Sequence, residues 1–528
     1  MIEEFPGRFR QSAMLLREAL KRRFSRPQPK PFTVERFAAD FQRRLSEPAF
    51  EWSGERFGAT KRVLIPILPW LSTPVPFFSI ELGRALAADG CEISFLWDPE
   101  NVFLPACKPL DIRAIEQTVS LLNTKFRVVS LPLETEPLTD RFDQDLHEIF
   151  SENAVRYHGG ESYAQSSRQI WKEKADAVRM YFFRILALLG ASQPDFLVLP
   201  GGVFGVSGLF SLACRVLQIE YSTYDCGPGE LVVAHNSAAA HLEDIGRAYA
   251  DLRDSMSNSE ITALVQHAEA VLAQRRTGTD AFRLQPPSSS SSSSRATYDL
   301  FVPLNFRVDT AALQRQKLFS DVQDWIRQLL DWVANQDDVT VVIRQHPCER
   351  IPMYRGTDDW HAFLRPFRNR LRSRLRFVSA WDQVNSYDLI ANAKVALPYT
   401  SRIGIECAYF GLPTILCARC FYGQTDFVQA PASAIAYFQA ISDGLAGKNR
   451  PSPSQRENAA LFYALVESTA LAATLFTPAP EDYVRWVAMT PHQLRHQQSV
   501  KLIVKCLRER SYFPSLLYHR RRALFDLN

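Results

Sequence analysis

Val63-Leu64-Ile65-Pro66-Ile67-Leu68, a helical run over residues 79–88, Gly90, and then Ile93-Ser94-Phe95-Leu96-Trp97 read as a β-α-β unit. An apolar strand, a helix and a second apolar strand bury their faces together only when the helix crosses over a parallel sheet. The pattern recurs at residues 126–131, 196–199 and 219–224, separated by helix-like segments such as 175–189. The first half of the chain is therefore expected to form one open, mostly parallel sheet. Residues 196–214 carry no charge and approach membrane-spanning length. They are interrupted by Pro200-Gly201-Gly202, Gly205 and Gly208, which favours strand, glycine turn and buried helix over a membrane span.

Outward from this unit, a helical segment near 259–275 leads to Pro286-Pro287 and the seven serines Ser288 to Ser294, a composition with nothing apolar to bury. Strand-helix alternation then restarts with Leu300-Phe301-Val302-Pro303-Leu304. It continues through an amphipathic helix near 319–335 and strands at 339–343, 377–378, 394–398 and 414–417. The expected organisation is a helical, basic N-terminal extension over 1–60, a Rossmann-like domain over 61–275 and a Ser/Pro-rich linker or loop over 276–297. A second Rossmann-like domain over 298–475 and basic C-terminal helices over 476–528 complete it. The fold class is α/β, with two doubly wound domains facing a cleft between the carboxyl ends of their sheets. That order resembles the GT-B glycosyltransferases.

Composition narrows the function classes. The 528 residues include 61 Lys and Arg against 57 Asp and Glu, and the resulting net charge of +4 is too slight to imply a nucleic-acid partner. Nine cysteines at irregular spacing do not form a disulfide framework, and the N-terminus lacks the apolar core of a secretory signal, so a cytoplasmic location is expected. The basic tail, with Lys501, Lys505, Arg508, Arg510 and Arg520 to Arg522 beside Leu516, Leu517 and Phe525, fits solvated helix faces. Peripheral contact with an anionic inner-membrane surface is the alternative.

The chemistry concentrates at two strand ends. Val341-Val342-Ile343-Arg344-Gln345-His346-Pro347 is an apolar strand that ends in a polar, basic turn. A histidine there can donate to a phosphate oxygen, Pro347 fixes the backbone that aims the ring, and Arg344 and Arg350 add charge-assisted contacts. Taken alone, such a histidine more often bonds a backbone carbonyl. About fifty residues later Lys394-Val395-Ala396-Leu397-Pro398-Tyr399-Thr400-Ser401 runs into Gly404 and a helix carrying Glu406, and hydroxyls with helix-start amides suit a phosphate. In the first half, the strand 219–224 runs into Asp225-Cys226-Gly227-Pro228-Gly229-Glu230, which read alone is an ordinary turn.

These residues resemble the nucleotide-sugar domain of bacterial GT-B transferases that use CMP-sugars: sialyltransferases, polysialyltransferases and capsule Kdo transferases. The resemblance puts His346 and Pro347 on the family's His-Pro motif and Thr400 and Ser401 on its hydroxyl pair, both of which hold the CMP phosphate. It puts Asp225 and Gly227 on the acidic-acidic-glycine triplet that supplies the general base, with Cys226 replacing the second acid and Glu230 as the substitute base. Asn305 and Arg307, after the strand 301–304, are implied as contacts to donor phosphate or carboxylate, and Glu406 as a ribose ligand.

The activity this implies is an inverting, metal-independent transfer of an acidic sugar, Kdo or sialic acid, from a CMP donor to a surface polysaccharide or glycolipid. No cofactor is implied beyond the donor substrate. Two other readings stay open: a CDP-glycerol or CDP-ribitol phosphotransferase of the teichoic-acid type, and a catalytically degenerate scaffold in capsule assembly. The Cys417-Ala418-Arg419-Cys420 spacing lacks further zinc ligands. Asp143-Gln144-Asp145 is expected on a solvated helix face rather than on a metal.

Overall fold

The computed structural model describes residues 34–46, 61–70, 75–100, 102–103, 109–133, 139–158, 161–227, 230–280, 284–287, 296–306, 309–351, 354–470 and 487–524. The serine run and Arg307 lie outside them, as do the side chains of Cys226, Glu230, Leu517 and Arg520 to Arg522.

The first sheet contains β1 (Arg62–Ile67), β2 (Glu92–Trp97), β3 (Arg127–Val129), β4 (Phe196–Pro200), β5 (Glu220–Gly227) and β6 (Glu230–His235), in the order β3-β2-β1-β4-β5-β6. All neighbours are parallel except β5 and β6. The second contains β7 (Tyr298–Pro303), β8 (Val341–Arg344), β9 (Leu375–Val378) and β10 (Ala393–Ala396), all parallel, in the order β10-β7-β8-β9. Single bridges Ala396↔Thr414 and Ile415↔Gln429 extend it beyond β10. Each sheet reverses direction beside its own first strand, between β1 and β4 and between β7 and β10. Two doubly wound α/β domains are thus present.

Differences from the sequence reading have local causes. The strand at 219–224 continues to Gly227 because Glu230-Leu231-Val232-Val233-Ala234-His235, not anticipated as a strand, pairs antiparallel with it from Gly227↔Glu230 to Ser222↔His235. Asp225 therefore lies within a ladder, opposite Val232, rather than in a free turn. The segment 414–417 contributes bridges, not a full strand. The uncharged run 196–214 is β4, a glycine turn and the helix Gly205–Leu217. No helix among the described residues is long and apolar enough to cross a membrane.

The chain crosses between domains twice after β6. Helices Glu243–Arg253 and Asn258–Thr277 share a core with the second domain, where Tyr249, Ile261 and Leu272 pack with Ile405, Tyr422 and Phe462. Helices Gln498–Glu509 and Phe513–Leu524 return to the first domain, and Val500, Ile503, Val504, Leu507 and Phe513 enter the core built on β1 and β2. Those five side chains are thereby covered by protein. Arg508 is bonded to Asp89 and Arg510 to Glu220, which accounts for two of the tail's cations.

A buried ion pair fastens this return. Arg84 and Glu81, both fully buried on the helix Val75–Ala88, meet at 2.6 Å, and the guanidinium also donates to the carbonyl of Met489 at 2.9 Å. Burial pushes the Glu81 carboxyl pKa up, and the adjacent Arg84 opposes that shift. Removing one partner of such a pair leaves an uncompensated charge. Arg84→Met should destabilise the protein by about 3–5 kcal/mol in denaturant titrations, while the double change Glu81→Leu with Arg84→Met should recover most of the loss.

Candidate functional site

The register of the second sheet lines up the residues that the sequence separates by almost a hundred positions. Ala396 is paired with Phe301, Pro303 with Arg344, and Arg344 with Val378. Continued past the strand ends, that register brings Thr400, Asn305, His346 and Ala380 to one row at the carboxyl edge. Neighbouring strands lie about 4.8 Å apart, so the row spans β10, β7, β8 and β9 across roughly 15 Å.

Direct contacts hold this row. The Thr400 amide donates to Asn305 Oδ1 at 3.2 Å, across the point where the strand order reverses. Asn305 Nδ2 reaches Asp309 at 3.4 Å. On its other side the Phe306 ring lies 5.2 Å from the His346 ring and 5.3 Å from that of Tyr354. Thr400 is buried, and its hydroxyl is without a hydrogen-bond partner, although nearly every buried polar atom in a folded protein has one. The carbonyls beneath are occupied: Thr400 accepts from the Cys420 thiol at 3.7 Å and Ser401 from the Tyr422 hydroxyl at 2.6 Å. The turn lies at the carboxyl edge beside the switch point between β7 and β10, the place where open α/β sheets take ligands.

His346 is half-buried, and its Nδ1 accepts the Cys348 amide at 3.1 Å within the short 3-10 turn Pro347–Arg350. A backbone amide can only donate, so the ring carries its proton on Nε2. Burial first, then the positive fields of Arg344 and Arg402, lower its pKa to about 4. At neutral pH the ring is thus an uncharged donor.

The remaining sequence candidates divide. Arg344 is buried and turned into the scaffold: its guanidinium donates to the carbonyls of Ser379 and, at 3.2 Å, Val384. Burial lowers its pKa to about 10. Glu406 is buried and spoken for by Arg275 at 3.3 Å and the Tyr387 hydroxyl at 2.7 Å, in a network that runs on through Glu467 to Arg402. Arg350 donates to the carbonyls of Pro347 and Leu284. Arg344 and Glu406 thus bond scaffold groups, at the sheet edge and at the helix junction respectively. Asp225 is half-buried at the carboxyl edge of the first sheet, one residue beyond the pair Pro200↔Tyr224 and beside the Gly201-Gly202 turn, whose φ values are +71° and +90°. Asp143, of the Asp-x-Asp motif, is taken by Arg179, whose hydrogen bonds hold its carboxyl below the usual range.

The first domain's edge meets the second at a small apolar cluster of Val203, Phe204, Ala238 and Leu313, with Trp70 against it. Polar ties surround it. Buried His241 donates from Nε2 to the Leu313 carbonyl at 2.9 Å and accepts Arg315 on Nδ1 at 3.2 Å, and Arg315 also pairs with Glu243 at 2.7 Å. Glu152 receives the Gln314 amide and the Gln316 side chain. The two carboxyl edges thus face each other over a joint whose residues the sequence did not single out. His241 and Arg315 carried no motif, and only the long-range packing reveals them.

No family model matches the chain, and no curated protein matches it. Among solved structures it is similar to the KpsC beta Kdo 2,7 transferase of Thermosulfurimonas dismutans, with 14% identity over 58% of this chain and 88% of that one at a TM-score of 0.31. The beta Kdo 2,4 transferase of the same protein gives 13% identity over 56% and 88%, with a TM-score of 0.33. A putative UDP-N-acetylglucosamine 2-epimerase from Listeria monocytogenes gives 11% identity over 78% and 96%, with a TM-score of 0.24. The class stands on the strand orders themselves: two Rossmann-like domains with opposed carboxyl edges, the GT-B type of architecture.

Two outcomes follow from this geometry. Thr400→Val removes an unsatisfied buried hydroxyl without changing shape, so the ligand-free protein should become more stable by about 1 kcal/mol in urea titrations. A loss of that size instead would mean that the hydroxyl is satisfied. Burial, then Arg315, lowers the His241 pKa to about 3. The folded state therefore holds fewer protons than the unfolded one between about pH 3 and the ordinary value of 6.5. His241 thus withdraws stability as pH falls from 6.5, on the order of 3 kcal/mol by pH 4. The fall in melting temperature over that range should flatten in His241→Gln relative to the unsubstituted protein.

Proposed function

We propose that the protein is an inverting, metal-independent glycosyltransferase that moves an acidic sugar of the Kdo or sialic acid class from a CMP donor to a bacterial surface polysaccharide or glycolipid. The observation that carries this reading is the buried, unpartnered Thr400 hydroxyl, on one sheet-edge row with a His346 that presents an Nε2 proton. Two donors with acceptor-poor surroundings, at a switch point, suit an anionic oxygen of a phosphate. Ser401 and the backbone of the turn complete the cradle, and Pro347 fixes the approach of His346.

In the proposed reaction, Asp225 of the opposing domain takes the proton from an acceptor hydroxyl. Its oxygen forms the new bond to the anomeric carbon, the bond from that carbon to the CMP phosphate breaks, and the electron pair leaves with the phosphate. Hydrogen bonds from His346 and Thr400 strengthen as charge accumulates on the departing oxygen, which is where fixed donors lower a barrier. Arg402, partly exposed beside the hydroxyl pair, contributes the nearest positive field to His346 apart from that of Arg344. Glu230 stands in reserve as the base on β6.

Full-length protein assayed with CMP-Kdo and CMP-sialic acid should release CMP and a phosphate-free glycoside. His346→Ala should lower turnover by about two to three orders of magnitude with an unchanged melting temperature. Release of CMP with transfer of a polyol phosphate would replace this reading by the phosphotransferase one. Glycan binding with no affinity for any nucleotide would replace it by the scaffold one.

A further inference from the structure

The loop that follows β9, Ser379-Ala380-Trp381-Asp382-Gln383-Val384, is fastened with unusual thoroughness for a surface connection. Arg344 donates to the carbonyls of Ser379 and Val384, one on each side of Trp381. Gln345 Oε1 accepts the Ala380 amide at 3.1 Å, and the Asp382 carboxylate accepts the Ser379 amide at 2.7 Å. The Arg344 and Gln345 side chains, at the end of β8 and just beyond it, are themselves buried, and Gln345 is fixed in turn by Glu349 at 2.8 Å. A charged guanidinium has been taken out of water to hold this loop, a cost that ordinary loop closure does not require. What the fastened loop presents is Trp381, 50% exposed.

The indole is also connected to the candidate phosphate site. The Arg355 guanidinium lies 5.3 Å from its ring, and the adjacent Tyr354 packs on Phe306, which packs on His346. Ala380 ends the row Thr400, Asn305, His346, Ala380 on the β9 side, and Trp381 follows it in the chain. A nucleotide whose phosphate lies between β10 and β8 and whose base extends toward β9 would bring that base to the exposed indole of Trp381.

We propose that Trp381 is the stacking platform for the base of the donor nucleotide. This inference rests on the reading of the second domain as a nucleotide site. A π-face stacks on any base, so Trp381 supplies affinity and holds the nucleotide's base end, while selection among bases falls to hydrogen-bonding groups around it. It also gives Arg344 its reason for burial: the cation positions the platform rather than touching the ligand.

The test is calorimetric titration of the full chain with CMP, UMP, AMP and GMP, and with ribose 5-phosphate, which has the phosphate and sugar but no base. Trp381→Ala should weaken the best-bound nucleotide by about five- to about a hundredfold and leave ribose 5-phosphate unchanged. Trp381→Phe should retain most of the affinity. Trp381→Leu, which keeps apolar bulk without a π-face, should resemble Ala and also guards against a folding defect, read from its melting temperature. Equal loss for ribose 5-phosphate, or no loss for the nucleotide, would overturn the platform while leaving the nucleotide site standing. Failure of the unsubstituted protein to bind any of the four nucleotides would overturn both.

Discussion

The placement of β10 beside β7, rather than beside β9, is the constraint on which the cleft depends. Connections leaving β7 and β10 must run to opposite faces of the sheet, so the chain opens at that point and the backbone there loses a neighbouring strand. Asn305 substitutes for the missing ladder: its side-chain oxygen accepts the Thr400 amide that a strand partner would otherwise have taken. One satisfied amide fixes the turn, and the hydroxyl of the same residue is left buried and unpaired. The break in strand order and the unpaired hydroxyl thus fall at the same turn.

Charge has been distributed by the same economy. Several arginines of the second domain and its junction are engaged by the scaffold. Arg275 binds Glu406 and Glu467, Arg402 shares Glu467, and Arg344 holds backbone carbonyls. Buried cations of this kind need several acceptors in good geometry to offset desolvation, and once so engaged they have few donors left for a ligand. The domain junction follows suit, since Arg315 is divided among His241, Glu243 and the Arg419 carbonyl. Rigid placement of the two opposed sheet edges is what these interactions provide.

The alternation of apolar runs and helices made both sheets legible, and the glycines of 201–208 correctly distinguished a strand-turn-helix from a membrane span. The His-Pro turn and the hydroxyl pair were legible as strand-end chemistry because parallel strands must release their polar residues at the carboxyl edge. β6 was not, since Leu231-Val232-Val233 follows a Gly-Pro-Gly stretch that reads as a turn leading away. Its pairing with β5 is a tertiary preference. The commitments of Arg344 and Glu406 were also illegible, because a charged residue near a motif has the same appearance whether its partner is a ligand or a carbonyl 35 residues away. Trp381 carried no motif at all and gains meaning only from the row it joins and from the arginine beneath its loop.

The electrostatic state of His346 follows from these commitments and bears on the proposed chemistry. A ring with a pKa near 4 is neutral at physiological pH, so it adds no standing charge to the crevice. Arg275, Arg402, Glu406 and Glu467 form a paired network, while Arg344 and Arg402 set a positive field at the ring. As the glycosidic bond breaks, the phosphate gains a full negative charge, and that charge raises the basicity of a contacting imidazole. The stabilisation from His346 therefore grows with the charge that develops, and interactions that strengthen toward the transition state are those that accelerate the step. A permanently charged histidine would have spent the same interaction on holding the substrate.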